Sequence, residues 1–141
     1  MALTPTQGSF AELSGVVAGR ADQPSRTYRV DWQRKRVQGY TDGTEAMEQA
    51  ILKILSTERF AYYIYSWNYG TEMSRVWGKS QPVVESELER VLREALLADD
   101  RIQEIRDFTL SFVDKRTASV AFTAVTPMGN IPMETEVRRY V

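Results

Sequence analysis

The spacing of apolar positions changes period along this chain, and each change marks an element. In Thr27-Tyr28-Arg29-Val30-Asp31-Trp32 the aromatic and β-branched residues fall on every second position; residues 33–35 are polar, and Arg36-Val37-Gln38-Gly39-Tyr40 resumes the pattern. Alternation on both sides of a short polar run predicts a β-hairpin, with Tyr28, Val30 and Trp32 as a seam facing the core. Asp42-Gly43-Thr44 breaks the strand and supplies a helix cap. Ala46, Met47, Ala50, Ile51, Ile54 and Leu55 then recur at i, i+3, i+4, the pattern of an amphipathic helix of roughly three turns.

A second helix is predicted from Ser80-Gln81-Pro82, because proline suits a first turn, with Val84, Leu88, Val91, Leu92, Ala95 and Leu96 as its apolar stripe. Glu89 and Arg93 fall i, i+4 on its polar side. Ala98-Asp99-Asp100 ends it, and two acids at a helix C-terminus imply fraying or a salt bridge to Arg101. From Ile105 the period becomes two. Phe108, Leu110 and Phe112 alternate with polar neighbours, then Val120, Phe122 and Ala124, then Ile131, Met133, Thr135 and Val137, with turns at residues 114–117 and 127–130. This is a three-stranded antiparallel meander with one polar face. Pro132 cannot donate to a ladder, which makes the last strand an edge. The fold class is therefore α+β: two amphipathic helices on an antiparallel sheet, with an N-terminal hairpin and a C-terminal meander. Residues 1–25, with Pro5, Gly8, Gly15, Gly19 and Pro24 and no sustained period, read as a flexible arm, and residues 26–141 as a single domain.

Between the two helices lies a stretch that neither period explains. Phe60, Tyr62, Tyr63, Tyr65, Trp67 and Tyr69 crowd the segment that follows Thr57-Glu58-Arg59. Tyr and Trp combine large apolar area with a polar tip, so such a run suits a surface buried against another layer or a partner protein. It reads as an interface ahead of an active site.

Composition narrows the chemistry. The 141 residues are 43% apolar and 26% charged, as in a globular domain, and carry a net charge of -1. No excess of positive charge draws the chain to nucleic acid or anionic membrane. It contains no cysteine and no histidine, which removes disulfides, the thiolate nucleophile and the commonest general base and metal ligand. The apolar run at residues 15–19 is too short for a signal or a span, so the expectation is a protein made and assembled in the cytoplasm.

The remaining candidate sites each have a bland counterpart. The aromatic run could stack on sugars with Glu58 as acid, but glycosidases need a second carboxylate at a set separation, and Glu72, Asp99 and Asp100 lie on other elements. Asp99 and Asp100 with Asp107 or Asp114 could hold a hard cation, though no calcium-loop pattern is present and a solvated helix end is the simpler reading. Gly70, Gly78 and Lys79 match no phosphate-loop spacing. Arg59 is placed either to pair with a carboxylate or to satisfy the end of its helix. The last strand could accept a strand from another chain, or be guarded by Pro132, Glu134, Arg138 and Arg139. No catalytic, cofactor-binding or metal residue is assigned.

The order of these pieces, from TYRVDWQRKRVQGYTDGTEAMEQAILKILSTERFAYYIYSWNYG through a GK-containing link to ESELERVLREALLADDRI and a β-rich end, resembles the XkdS-type proteins of contractile phage tails and phage-tail-like bacteriocins. These are distant relatives of the baseplate-wedge protein that starts the sheath. The likeness covers about residues 26–138 and is most specific from Tyr28 to Gly70. Thr57 and Arg59, Tyr69 and Gly70, and the helix through Leu88 and Leu97 stand where the wider family has its common core. Val76-Trp77-Gly78-Lys79 replaces the Glu-Pro-Arg element of the phage wedge protein and its type VI secretion counterpart. The resemblance implies a structural baseplate subunit without enzymatic activity or cofactor, present in several copies around a sixfold baseplate. Its implied partners are wedge proteins and the tail sheath, with hub or tube proteins as further neighbours. The implied wedge contacts are Arg59, Tyr63, Tyr65, Trp67, Tyr69, Trp77 and Lys79. The implied sheath-pairing residues are Val120, Phe122, Ile131, Met133, Thr135 and Val137. Some relatives carry a lysozyme label; a peptidoglycan hydrolase or a carbohydrate-binding module is the alternative.

Overall fold

The computed structural model describes residues 25–138; the expected N-terminal arm lies outside them except for Ser25. Strands β1 (Thr27–Asp31) and β2 (Arg36–Thr41) form the hairpin, followed by helix α1 (Gly43–Ser56), a single turn α2 (Met73–Val76), helix α3 (Gln81–Leu97), and strands β3 (Glu104–Asp114), β4 (Thr117–Thr126) and β5 (Gly129–Arg138). The hairpin is a separate two-stranded sheet, and the meander is a three-stranded antiparallel sheet in the order β3-β4-β5. The arrangement is α+β, as the change of period predicts.

Both long helices start at the residues the sequence marks. Asp42 stands in extended conformation and its carboxylate accepts the Gly43 N–H at 2.7 Å, filling one of the donors the first turn leaves open. Ser80 precedes α3 without a side-chain cap, its carbonyl taking the Val83 and Val84 N–H groups, while Pro82 occupies the first turn. At the other end of α3, Arg101 grips Asp99 at 2.7 Å, the salt bridge expected there.

The two long helices lie on one face of the meander. Met47, Ile51 and Ile54 of α1 meet Leu88, Leu92 and Leu96 of α3 above Val120, Phe122 and Ile131 of the sheet, all of them buried. Burying each such side chain stabilises the fold by about 1.5–3 kcal/mol. The opposite sheet face is polar and small, with Ser111, Ser119, Thr123, Glu134 and Glu136. In β3 the spacing from buried Ile105 to half-buried Phe108 is three rather than two. A bulge absorbs the extra residue, with Asp107 in the left-handed region at φ 53°, so that Phe108, Leu110 and Phe112 return to the core side.

The hairpin departs from expectation. Tyr28 and Trp32 are 62% and 56% exposed, and only Val30 is half-buried. The seam does not face the core because the ribbon never joins the meander; it is laid along α1 by polar side chains, the Arg29–Glu45 pair at the surface and Gln49 beneath it. Gln49, buried on the helix face, accepts the Val30 N–H at 2.9 Å and donates to the Tyr28 carbonyl at 2.7 Å. Nothing in the apolar pattern marks Gln49, since its i, i+3, i+4 neighbours already account for the stripe.

Candidate functional site

Between α1 and α2 the chain makes a compact excursion whose two ends meet. Glu58 and Thr71 form a parallel bridge, with Arg59 N donating to the Thr71 carbonyl at 2.8 Å and Thr71 N to the Thr57 carbonyl at 2.9 Å. Arg59 clamps the same neck from its side chain. Its Nε donates to the Gly70 carbonyl at 3.3 Å and its Nη1 reaches Glu94 of α3 at 3.1 Å, with the guanidinium end almost fully covered. This is an Ω-loop: a surface loop closed at its base and packed by its own side chains.

The loop carries the aromatic block outward. Phe60, Tyr62, Tyr63, Ile64 and Trp67 are all more than half exposed, Trp67 at 83% and Tyr63 fully. The outer rings hold each other, and only Tyr69 at the base packs against the core. Tyr65 stacks on half-buried Tyr69 at 4.4 Å, Tyr62 meets Tyr65 edge-on at 6.2 Å, and Phe60 tilts against Trp67 at 5.8 Å. Phe60 sits at φ 67°, an unfavourable backbone for a bulky residue, so the neck holds local strain in order to aim the ring outward. Burial, then the neighbouring Tyr65 and Asp99, pushes the Tyr69 hydroxyl pKa up.

Of the implied wedge contacts, Tyr63, Tyr65 and Trp67 stand together on this loop, with Tyr69 at its base. Three others are elsewhere. Arg59 is spent on the neck. Trp77 is 7% exposed, inside the core cluster and edge-on to Phe112 at 6.5 Å, so it is a core residue rather than a surface anchor. A signal for this was present: Met73, Val76 and Trp77 are spaced i, i+3, i+4, one helical face. Lys79 pairs with Glu87 of α3 at 2.6 Å, off the loop. Phe60, Tyr62 and Ile64, equally exposed, belong with the loop surface although the implied set omits them.

The implied sheath-pairing residues also divide. Val120 and Phe122 lie on β4, whose two edges are taken by β3 and β5, so their main chain has nothing to offer a further strand. Ile131, Met133 and Val137 are buried beneath the helices and Thr135 is half-buried. What β5 leaves open is its main chain. Thr126 and Gly129 close a two-residue hairpin, and in such a hairpin the flanking pair exchange hydrogen bonds while the next pair turns outward. Counting along the register, Pro132, Glu134, Glu136 and Arg138 point their peptide groups away from β4. The carbonyl of Val125, which faces β3 to accept Gln103 N at 2.8 Å, fits this phase. Pro132 thus occupies a position with no ladder bond to lose. Beside the far end of this edge is an open groove of about 410 Å³, floored by Leu55, Met73, Trp77 and Val137.

Glu58, the candidate acid, caps α2: its Oε1 accepts from Ser74 Oγ at 2.5 Å and Ser74 N at 3.3 Å. Asp99 is held by Arg101, and no group of three or more acidic side chains is arranged to hold a metal ion among the described residues. No described helix is long and apolar enough to cross a membrane.

A sequence model of contractile injection system sheath initiators matches residues 25–129, from the hairpin to the start of β5. The chain belongs to the sheath initiator family. It is also 33% identical over 140 residues to the phage-like element PBSX protein XkdS of Bacillus subtilis (strain 168), a match that spans 95% of each chain. Sheath initiators are structural proteins of contractile tails, and the matched region contains the whole Ω-loop, its neck and both long helices. The resemblance read from the residues and the family found by comparison agree.

Proposed function

We propose that this sheath initiator is held in the baseplate by its aromatic Ω-loop, docked on a wedge protein, and that it starts the sheath by offering the open edge of β5 to a strand of the first sheath ring. The observation that carries the reading is the exposure of Phe60, Tyr62, Tyr63, Ile64 and Trp67 on a loop whose base is fixed. Isolated soluble domains seldom present so many contiguous large apolar side chains to water, and a preformed loop loses little conformational entropy on docking. Trp and Tyr are also the residues that most often carry interface energy. Pairing at β5 would add main-chain hydrogen bonds to an edge that no other strand among the described residues pairs with, with the groove beside Val137 taking a side chain of the added strand. Several copies around a sixfold baseplate would each present one such edge.

The test is incorporation into particles. Trp67→Ala and Tyr63→Ala truncate exposed side chains, so both variants are expected to fold with unchanged thermal midpoints and to be missing from purified particles. A folded variant present at the wild-type level would overturn the anchor.

A further inference from the structure

A different surface stands at the opposite half of α1. Between Arg26 and Tyr40 the chain carries Arg26, Arg29, Arg34, Lys35 and Arg36 against a single acid, Asp31, although the whole protein has 18 basic and 19 acidic residues. Positive charge is therefore concentrated on the β1–β2 hairpin. Apolar area is concentrated there as well: Tyr28, Trp32, Val37 and Tyr40 are each more than half exposed. Tyr28 stacks on Tyr40 at 5.1 Å, and the Arg26 guanidinium lies 4.6 Å above the Tyr40 ring.

Some of these cations are engaged within the chain. Arg29 reaches Glu45 of α1 at 3.1 Å, and Arg34 has only a loose 3.9 Å approach to Asp31. Lys35 and Arg36 have no ion-pair partner among the described residues. A two-stranded ribbon is marginal by itself in water, yet this one is fixed to α1 through the two Gln49 hydrogen bonds. The result is a preformed hairpin that exposes aromatic rings along its length, with Arg26 over Tyr40, and cations at its tip unpaired among the described residues.

We propose that the β1–β2 hairpin is a second docking surface, which receives a carboxylate-bearing face of another protein subunit of the particle. Charge complementarity selects the occupant. Arginine beside aromatic rings binds carboxylates through paired hydrogen bonds and contributes stacking area, a common composition of interface centres. A second copy of this chain fits less well, because three of the four carboxylates on its acidic helix are taken, Glu87 by Lys79, Glu89 by Arg93, and Glu94 by Arg59 and Arg90, which leaves Glu85 alone on that helix to meet several cations. A nucleic acid fits less well too, since the tip cations are few, Asp31 stands among them, and the chain as a whole has a net charge of -1.

Lys35 is the sole lysine of the hairpin, which permits a direct test. Purified intact particles are treated with a water-soluble carbodiimide, which condenses an amine and a carboxylate in contact into an amide, and the cross-linked peptides are read by mass spectrometry. The expected product joins Lys35 to an Asp or Glu of a different subunit and disappears in Lys35→Arg. In parallel, Arg34→Glu with Arg36→Glu is expected to leave the isolated protein folded and to reduce retention in particles washed with salt by about tenfold. A link only to Asp31 of the same chain, a link to a second copy, retention abolished by nuclease, or full retention of the charge-reversed protein would each overturn the proposal.

Discussion

Gly70 lies against the main chain of Thr57: a Cβ placed on it would stand 2.6 Å from the Thr57 carbonyl oxygen and 3.1 Å from Arg59 N. Its φ of 96° is in addition a conformation that side chains resist. Both constraints come from the crossing of the two ends of the Ω-loop. Gly70→Ala is therefore expected to destabilise the protein by about 2 kcal/mol or more, combining the backbone penalty with the displaced neck. Urea denaturation measures the loss, and a variant as stable as the parent would show that the loop base is not closed as described.

Arg59 holds the same neck from a different direction, and its two partners are unequal. The Glu94 carboxylate is half exposed, whereas the guanidinium is almost buried between Glu94 and the Gly70 carbonyl. Arg59→Ala leaves that carbonyl short of a donor and opens a gap, for an expected cost of about 2–3 kcal/mol. Glu94→Gln keeps a hydrogen-bond acceptor on α3 and is expected to cost about 1 kcal/mol or less. A double-mutant cycle in denaturant separates the pair energy from the rest. Equal costs for the two single variants would contradict the assigned geometry.

What was legible in the sequence follows from where periodicity carries information. Met47, Ile51 and Ile54, and Leu88, Leu92 and Leu96, repeat with the helical period because both helices press one face on a common sheet, and they are the deepest part of the core. The Asp42 cap and the Pro132 edge are local signals with local causes, so they could be read directly. Trp67 and Trp77 show the limit. Ten residues apart and equally aromatic, one is a loop tip and the other a core side chain, and the difference is made by Gly70, which turns the chain back between them. The seam of Tyr28, Val30 and Trp32 misleads for a related reason: alternation identifies a strand but not what covers it, and here α1 offers Gln49 rather than an apolar face.

Gln49 is a buried amide with both ends used, which makes its replacement informative. Removing the side chain orphans the Val30 N–H and the Tyr28 carbonyl, at an expected cost of about 1–3 kcal/mol. The loss should appear mainly as faster amide exchange in β1 and β2, because the hairpin has few other ties to the body. In Gln49→Leu the helix should remain as protected as before. Uniform loss of protection across the meander would instead mean that the hairpin and core unfold as one unit.

Two part-buried groups near the end of α3 contribute to the pH dependence of stability. Burial pushes the Asp99 carboxyl up, but the hydrogen bonds and charge of Arg101 outweigh it and leave the pKa below the usual carboxylate value. A depressed pKa contributes stability that is complete above the unfolded value of about 3.9 and is lost as pH falls through the folded one. Tyr69 runs the other way. Burial raises its pKa, so its contribution is complete below the unfolded value of about 10 and is lost as pH rises past it. Asp99→Asn should make the acid limb of a stability profile shallower, the exposed Asp42, Glu104 and Asp114, also held low, supplying the rest, and Tyr69→Phe should do the same to the alkaline limb. If either limb is unchanged, the titrating group is elsewhere.

The edge of β5 can be closed without dismantling the sheet. Glu134 turns its peptide group outward, in phase with Pro132, so Glu134→Pro removes an N–H that no strand of this sheet uses. Met133 is in the opposite phase, paired with Phe122, and Met133→Pro would break a ladder bond of the sheet itself. The expectation is that Glu134→Pro folds, docks in the baseplate through the unaltered Ω-loop, and yields baseplates or tubes without ordered sheath under the electron microscope. Met133→Pro should fail earlier, as an unfolded subunit. Normal sheaths on particles that contain the Glu134→Pro protein would rule out pairing at this edge and place sheath initiation on another face, while leaving the aromatic anchor intact.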